Sequence, residues 1–312
     1  MSPASKNEVS AGNWKLALKK SNLAERARIT TNIRVFFVER SFLEVSTPHR
    51  IPTNAPEIHI NPIPSGDWQL HTSPELCMKR LLAAGYERLF QICPCWRQDE
   101  LGSRHLPEFT LLEWYEAGAD YRKQMTDCEE LLCALVPGNV LIYQGREVIL
   151  TRPWERLSIS DAFSRYASIS MDDALVKDRF DEIIALEIEP HLGIDKPLFL
   201  YDYPVEKAAL AREKPGNAKV AERFELYVCG LELANGFSEL NDAAEQRLRF
   251  EREETARRRT GRPPRPLPEK FLAELSAMPQ AAGIALGLDR LIMLLTNAEK
   301  IDEVVAFTPE ML

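Results

Sequence analysis

Residues 90–115 read FQICPCWRQDELGSRHLPEFTLLEWY, with two apolar and aromatic runs around a polar centre. The runs at 89–96 and 109–115 have the composition typical of β-strands. Gly102 and Pro107 lie between them, where such residues favour a loop. The sequence therefore predicts a long β-hairpin whose tip is charged.

Glu113 is a carboxylate inside the apolar second run. An isolated ionised group is costly to bury, so this side chain requires a partner in the folded chain. A cationic ligand or a neighbouring arginine would supply one. An internal ion pair without any role in binding is the alternative, and the residues of the hairpin alone leave both open.

Three ordered motifs extend the interpretation to most of the chain. They are 97–113 with the loop RHLPEFT at 104–110, GLELANGFSELND at 230–242, and GIALGLDR at 283–290. They resemble the class II aminoacyl-tRNA synthetases of the lysyl type, and most closely the elongation factor P–lysine ligases, a short paralogous family. The resemblance implies an α+β fold, the class II synthetase catalytic domain, with an antiparallel β-sheet flanked by helices.

Length and composition bound the architecture. The chain has 312 residues, of which 45% are hydrophobic, enough for one large domain. We predict a mobile tail at 1–22 and a single catalytic domain at 23–312.

The net charge of -8 argues against general nucleic-acid binding. No apolar run approaches the ~20 residues that span a bilayer, and no signal peptide precedes the fold, so we expect a cytoplasmic protein without membrane association.

The cysteines and most of the histidines show no pattern of chemistry. Six cysteines fall at spacings that match neither a zinc site nor a disulfide scaffold, so we predict reduced thiols. The tightest pair, Cys93 and Cys95, flanks Pro94 in the first predicted strand. His49, His59, His71 and His191 lack ligand spacing, and surface or capping positions are predicted for them.

Two predicted helices carry a second interpretation from the family. Apolar residues recur at helical spacing over 23–40, and the resemblance implies that this segment forms the interface of a homodimer. The segment HTSPE at 71–75 is typical of a helix start, in which Ser73 caps and Glu75 complements the helix dipole. Family members use this segment beside the amino-acid pocket, so Ser73 and Glu75 carry both interpretations.

Eight arginines lie between residues 243 and 270. The composition predicts an exposed helix followed by a loop that begins at Gly261. A solvated surface is the simpler interpretation and is slightly preferred. The alternative is that these arginines dock an acidic protein partner.

The resemblance implies an ATP-dependent, AMP-forming amino-acid–protein ligase with ATP and Mg²⁺ as cofactors. In such a ligase the amino-acid carboxylate displaces pyrophosphate from the α-phosphorus of ATP. This step is catalysed by positioning the reactants and by stabilising the charge that develops on the phosphates. Arg97 and Arg290 would be the catalytic residues, and Arg290 would stack on adenine opposite Phe109. Glu225 and Glu232 would bind the metal. The implied ATP-binding residues are Arg97, Asp99, Glu100, His105, Phe109, Glu225, Glu232 and Arg290.

The implied amino-acid pocket points to a diamino acid, (R)-β-lysine or lysine. Carboxylates there would neutralise ammonium groups that would otherwise be desolvated without a partner. Ala285 replaces the middle glycine that lysyl-tRNA synthetases carry in the third motif, as in the ligases. The implied substrate-binding residues are Ser73, Glu75, Glu113, Tyr115, Asn235, Glu239 and Ala285.

Departures from the lysyl pattern affect both the site and the acceptor. Asp99 stands where the family has a glutamate that contacts adenine. The side chain here is one methylene shorter, or the contact passes to Glu100. Leu106 replaces an asparagine of the family motif. The first motif begins near residue 23, which leaves no room before it for an anticodon-binding OB-fold. The resemblance implies elongation factor P as the partner that receives the amino acid on a lysine side chain. A truncated lysyl-tRNA synthetase and an inactive regulatory paralogue are the alternatives.

Overall fold

The structure is a computed structural model that describes residues 14–312. Within that range no helix combines the length and the apolar character that crossing a bilayer requires. The α-helices are α1 Trp14–Leu18, α2 Lys20–Glu39, α3 Glu75–Ala83, α4 Tyr121–Leu135, α5 Ile159–Tyr166, α6 Met171–Val176, α7 Phe180–Ile183, α8 Ala243–Arg259, α9 Glu269–Glu274 and α10 Leu288–Leu295.

The strands and short helical turns fill the intervals between these helices. The strands are β1 Leu43–Glu44, β2 Arg50–Ile51, β3 Pro64–Ser65, β4 Trp68–Leu70, β5 Arg88–Trp96, β6 Glu108–Ala117, β7 Val140–Tyr143, β8 Arg146–Ile149, β9 Glu155–Ser158, β10 Leu198–Pro204, β11 Glu213–Lys214, β12 Asn217–Val228, β13 Leu231–Ser238 and β14 Ala281–Gly287. A π-helical turn spans Ile184–Ile188, and 3₁₀ turns span Pro137–Asn139, Glu189–His191, Val205–Lys207, Leu275–Ala277, Ile301–Glu303 and Pro309–Met311.

One large sheet organises the fold. Its strands run in the order β1-β5-β6-β14-β13-β12-β10-β9, and β11 adds to β12. The pairs are antiparallel except for β1 with β5 and β9 with β10 at the two edges. The predicted hairpin is therefore confirmed as β5 and β6, paired without a break from Arg88↔Glu116 to Trp96↔Glu108. The predicted α+β organisation is confirmed as well.

The two faces of the central strands have different roles because side chains alternate along a strand. On β6, Leu112 and Trp114 are fully buried in the main hydrophobic core, which α2, α4 and α10 cover. Residues 109, 111, 113 and 115 of the same strand line a large cavity on the opposite face. One face therefore stabilises the domain, and the other carries polar chemistry.

The first helices begin earlier than the sequence predicts. Residues 14–18 and 20–22 are helical, so the predicted boundary between a tail and the domain falls inside α2. Residues 1–13 of the predicted tail lie outside the described residues. The apolar spacing of α2 is confirmed, because Ile29, Ile33, Phe36 and Phe37 are all buried.

The arginine-rich helix α8 is exposed on one face, which carries Arg252, Arg258 and Arg259, but its other face is buried, which the composition does not predict. Arg249 and Arg257 are buried, and Arg257 has no solvent exposure. Arg249 Nη1 donates to the carbonyl oxygens of Ala208 and Ala211 at 3.0 and 2.8 Å. These guanidiniums satisfy loop carbonyls that would otherwise be buried without partners. The docking interpretation therefore cannot rest on Arg249 or Arg257, whose guanidiniums bind groups of the chain itself.

Candidate active site

A cavity of about 640 Å³ lies over the central strands of the sheet. That volume is within the usual range for small-molecule sites. Of the site residues predicted from the sequence, the cavity brings together Ser73, Glu75, Arg97, Glu100, His105, Phe109, Glu113, Tyr115, Glu225, Glu232, Asn235, Ala285 and Arg290. Asp99 and Glu239 do not line it.

Arg97 projects from the end of β5 over the aromatic side chain that β6 supplies. Its guanidinium carbon lies 5.0 Å from the centre of the Phe109 ring, and Nη1 lies 3.2 Å from Glu100 Oε1. Its Nε is buried and has no hydrogen-bond partner among residues 14–312. A buried donor without a partner is rare in native structures, so this guanidinium is arranged to receive an acceptor from a ligand.

Asp99 and Glu100 differ in whether their side chains face the cavity. Asp99 is exposed and accepts a hydrogen bond from the side-chain amide of Asn61, which holds it away from the cavity. Glu100 faces the cavity and pairs with Arg97. Of the two alternatives for the adenine contact, this geometry favours Glu100, because Asp99 does not line the cavity. Leu106 is buried in the main core.

Arg290 lies in the first turn of α10 and lines the cavity beside His105. Nη1 donates to the Glu232 backbone oxygen at 2.8 Å, and Nη2 contacts His105 Nε2. Partial burial and the Arg290 charge lower the pKa of His105. His105 is therefore a neutral imidazole near pH 7 that accepts a hydrogen bond from the guanidinium.

A carboxylate cluster lies on β12, β13 and the turn before β10. Glu225 Oε1 lies 2.6 Å from Arg223 Nη2, and Tyr227 donates to Glu225 Oε2 at 2.7 Å. Burial, and then the charge of Glu225, raise the pKa of Glu232 to about 7. Burial and the same charge raise the pKa of Glu189. Carboxylates that repel one another in this way fit a bound cation, and their hard oxygen atoms suit Mg²⁺.

The floor of the cavity holds Glu113 between two hydroxyl groups. Ser73 Oγ donates to Glu113 Oε1 at 2.6 Å, and Tyr115 donates to Oε2 at 2.8 Å. No lysine or arginine pairs with it among the described residues, so the internal ion pair that the sequence left open is absent there. Burial, followed by repulsion from Glu75, raises the pKa of Glu113 to about 8. The site is ready for a cationic ligand group.

Glu239 lies below the cavity and is paired inside the protein. Lys79 Nζ is 2.5 Å from Glu239 Oε2 and 2.5 Å from Glu75 Oε1. Burial lowers the pKa of Lys79, but the two carboxylates outweigh it and raise that pKa overall. Burial raises the pKa of Glu239 to about 8, because the opposing effect of the Lys79 charge is smaller than that of burial and the Glu75 charge raises the pKa further. Glu239 is thus separated from the cavity by its pairing with Lys79, and its predicted role in substrate binding stays a prediction.

Gly283 allows β14 to pass close to this floor. A Cβ atom at this position would lie 2.2 Å from the Tyr115 ring and 2.4 Å from Glu239 Oε1. Neither neighbour can move away, because both belong to the buried polar group around Glu113 and Lys79. The glycine is required by packing at this point rather than by backbone conformation.

Sequence reasoning missed three residues that position the site. Lys79 pairs the floor carboxylates, and its i,i+4 spacing from Glu75 was the available signal. Arg223 connects Glu225 to Asn235, to whose Oδ1 it donates at 3.1 Å. Asp289 accepts from the Thr110 backbone at 2.7 Å and from Arg26 Nη1 at 2.5 Å, so it ties the two strongest motifs to α2.

Comparisons with known proteins agree with this geometry. The family model for tRNA synthetases class II (D, K and N) matches residues 15–311. The elongation factor P–(R)-β-lysine ligase of Proteus mirabilis (strain HI4320) is 40% identical over 328 residues, covering 95% of this chain and 97% of the relative. The enzyme of the same name from Klebsiella pneumoniae (strain 342) is 38% identical with the same coverage. That from Pectobacterium carotovorum subsp. carotovorum (strain PC1) is 40% identical, covering 96% and 98%.

Proposed function

Because this chain belongs to the class II tRNA synthetase family (D, K and N), and within it to the elongation factor P–(R)-β-lysine ligases, we propose that it makes an aminoacyl adenylate from (R)-β-lysine and ATP and transfers the aminoacyl group to a lysine of elongation factor P. The predicted family, fold and ligase activity are confirmed at this level. The chemical roles of individual residues are proposals.

One observation carries the proposal. A single cavity holds a buried carboxylate that lacks a cation, Glu113, and a guanidinium with a buried unsatisfied donor, Arg97. The first suits an ammonium group, and the second suits a carboxylate or phosphate. A diamino acid whose carboxylate meets the α-phosphate of ATP satisfies both at once.

In the first step a carboxylate oxygen of the amino acid attacks the α-phosphorus, and the bond to pyrophosphate breaks. Arg97 would hold both reacting groups, since its planar fork suits two neighbouring oxyanions and its charge offsets the charge that develops between them. Glu100 would orient that guanidinium. Phe109, next to Arg97, would stack on the adenine ring.

The outer phosphates would lie at the other end of the cavity. Arg290 and neutral His105 would bind them there. Glu225 and Glu232 would hold Mg²⁺, which when bound supplies positive charge along the triphosphate. Asp289 fixes the position of Arg290 by anchoring the start of α10 to the backbone of β6. In the second step the lysine amine of the partner attacks the acyl carbon, and AMP leaves.

The proposal is tested by ATP–pyrophosphate exchange with (R)-β-lysine and α-lysine in parallel, followed by intact-mass analysis with elongation factor P or tRNA. We expect preferential exchange with (R)-β-lysine and the matching mass gain on elongation factor P. Exchange with α-lysine and charging of tRNA would instead identify a reduced lysyl-tRNA synthetase. Absence of exchange with either amino acid would identify a regulatory paralogue.

We also propose that the chain forms a homodimer through α2 and β1. Val35, Val38 and Leu43 are large apolar residues with 48, 60 and 49% of their surface exposed. Such a group near the end of one helix is typical of a surface that another chain covers. Two-fold pairing would bury the same group from both copies.

Binding of the amino acid should depend on pH through Glu113. The ionised carboxylate binds an ammonium group, whereas a proton competes with that group, and the pKa of Glu113 is about 8. The distal ammonium of the ligand keeps its proton to about pH 10, as a lysine side chain does. We therefore expect KM for (R)-β-lysine to fall about tenfold per pH unit between pH 6 and 7.5 and to level above pH 8.

Two variants control this pH profile in exchange assays at saturating ATP. Glu113→Gln should bind weakly and show a flat profile over the same range. Glu155→Gln, which changes an exposed carboxylate of β9, should retain the profile of the unmodified chain. A slope that persists in Glu113→Gln would assign the titration to another group.

Ala285 should contribute to the choice between β-lysine and α-lysine. It lies between Glu113 of β6 and Asn235 of β13 in the sheet, and it lines the cavity. Removing its methyl group enlarges the pocket next to the carboxylate, so Ala285→Gly should shift the ratio of kcat/KM toward α-lysine by roughly tenfold. Ala282→Gly, whose position faces the opposite side of β14, is the matched control. An unchanged ratio in Ala285→Gly would contradict the assignment.

A further inference from the structure

A buried group of sulfur and nitrogen atoms lies below the cavity and takes no part in the chemistry proposed above. Cys93 Sγ and Cys95 Sγ are 4.0 Å apart, and His71 Nε2 is 4.0 Å from the first and 3.8 Å from the second. All three residues are buried. His71 is therefore not the surface or capping histidine that its isolated position in the sequence predicts.

The strand geometry brings the two thiols together. Residues two apart in a strand project from the same face, and Cys93 and Cys95 are regular members of β5, paired with Leu111 and Phe109 of β6. His71 follows β4 and packs along the C-terminal part of β5, beyond the residues that pair with β1, and its backbone oxygen accepts from the Trp96 N–H at 3.1 Å. The three side chains thus come from two segments that are already fixed to each other.

The three atoms form a nearly equilateral triangle. An atom at its centre would lie about 2.3 Å from each corner, since that distance is the side divided by √3, and zinc binds thiolate at ~2.3 Å and imidazole at ~2.0 Å. Two sulfurs and one imidazole nitrogen form a soft ligand set, which selects Zn²⁺ over the Mg²⁺ that carboxylates prefer. We propose that His71, Cys93 and Cys95 bind one Zn²⁺ ion, with a fourth position left for a small donor.

One hydrogen bond must be exchanged when the ion binds. His71 Nε2 lies 2.8 Å from the Pro94 backbone oxygen, to which its N–H donates in the metal-free chain. Zinc replaces that proton and the thiol protons, so binding releases protons and weakens as pH falls. The net value of a single neutral hydrogen bond is small beside the stability of a zinc–thiolate site.

The position of the site gives the ion a structural role. Cys95 lies two residues before Arg97, and His71 lies two residues before Ser73. An ion held by both segments would fasten the residues around Glu113 to the strand that ends in Arg97. This role depends on the ligand geometry and not on which amino acid the cavity takes, so it can fail or succeed independently of the proposed activity.

The test uses the full-length chain without an affinity tag, reduced and metal-free, and Co²⁺ as the spectroscopic probe. We expect near-ultraviolet thiolate-to-Co²⁺ absorption that saturates at one equivalent, disappears when Zn²⁺ displaces the probe, and is accompanied by a higher Tm with Zn²⁺. Cys93→Ser, Cys95→Ser and His71→Asn should each lose the one-equivalent response. Cys133→Ser, which changes a thiol on α4, should retain it.

Each result of this titration is decisive. Absence of the absorption from the unmodified chain overturns the proposal without reference to any variant. Absorption that survives unchanged in folded Cys93→Ser and His71→Asn also overturns it, because the ion would then be bound elsewhere. Loss of the response in these variants but not in Cys133→Ser, with circular dichroism spectra matching the unmodified chain, supports it.

Discussion

Replacing Arg97 with alanine is expected to lower kcat/KM for ATP–pyrophosphate exchange by roughly 100- to 1,000-fold. The guanidinium carries the buried Nε that no other residue of the described chain satisfies, and it stands beside Phe109 and Glu100 in the cavity. Without the Arg97 guanidinium, the negative charge that develops around the α-phosphorus in the transition state would lose the main group that stabilises it. The measurement is exchange kinetics with (R)-β-lysine at saturating Mg²⁺.

Two further variants show whether the planar fork or the charge is responsible. Arg97→Lys keeps the charge but cannot donate two parallel hydrogen bonds, so it should recover little of the lost activity. Arg146→Ala removes an exposed arginine of β8 and should leave exchange unchanged. If Arg97→Ala raised KM for ATP but left kcat intact, the residue would contribute uniform binding rather than stabilisation of the transition state.

The central sheet could be predicted because its signals are local. The two apolar and aromatic runs, the polar tip and the turn residues of 90–115 predict a hairpin, and β5 and β6 pair along their full length. The family motifs then predicted which side chains share a cavity, and most of them do. Spacing along strands determines such faces, so the sequence contains them directly.

The errors concern partners that lie far away in the sequence. Arg249 donates to backbone oxygens that lie 41 and 38 residues earlier in the chain, and no periodicity in α8 indicates those contacts. Asp99 is held outward by Asn61, 38 residues earlier. A charged side chain is assigned to solvent by default from sequence, and only tertiary structure shows when a loop carbonyl or a distant amide binds it.

Lys79 is the clearest of these long-range cases, and its removal should cause the largest loss of stability. The side chain is fully buried between Glu75 and Glu239. Lys79→Met would leave Glu239 buried without a cation, which typically costs about 3–5 kcal/mol of unfolding free energy. Urea denaturation measures this loss. Lys219→Met, an exposed change on β12, should stay within about 0.5 kcal/mol of the unmodified chain.

The loss of unfolding free energy in Lys79→Met should depend on pH, and the pKa of Glu239 determines whether that loss grows or shrinks as pH rises. In the folded chain that pKa is about 8 even with Lys79 present, against 4.5 for an ordinary glutamate, and losing the ammonium raises it further. The native state then holds a proton that the unfolded state releases, so stability falls as pH rises from about 4.5 toward the folded pKa. The loss should therefore be larger at pH 8.5 than at pH 6.

A double variant separates the buried charge from the lost packing of the lysine stem. Lys79→Met with Glu239→Gln removes the ionisable group, so it should regain much of the unfolding free energy at pH 8.5 and little at pH 6. Equal stability of the single and double variants at pH 8.5 would show that packing, not charge, is what Lys79 provides. The floor of the active site would then tolerate an unpaired Glu239.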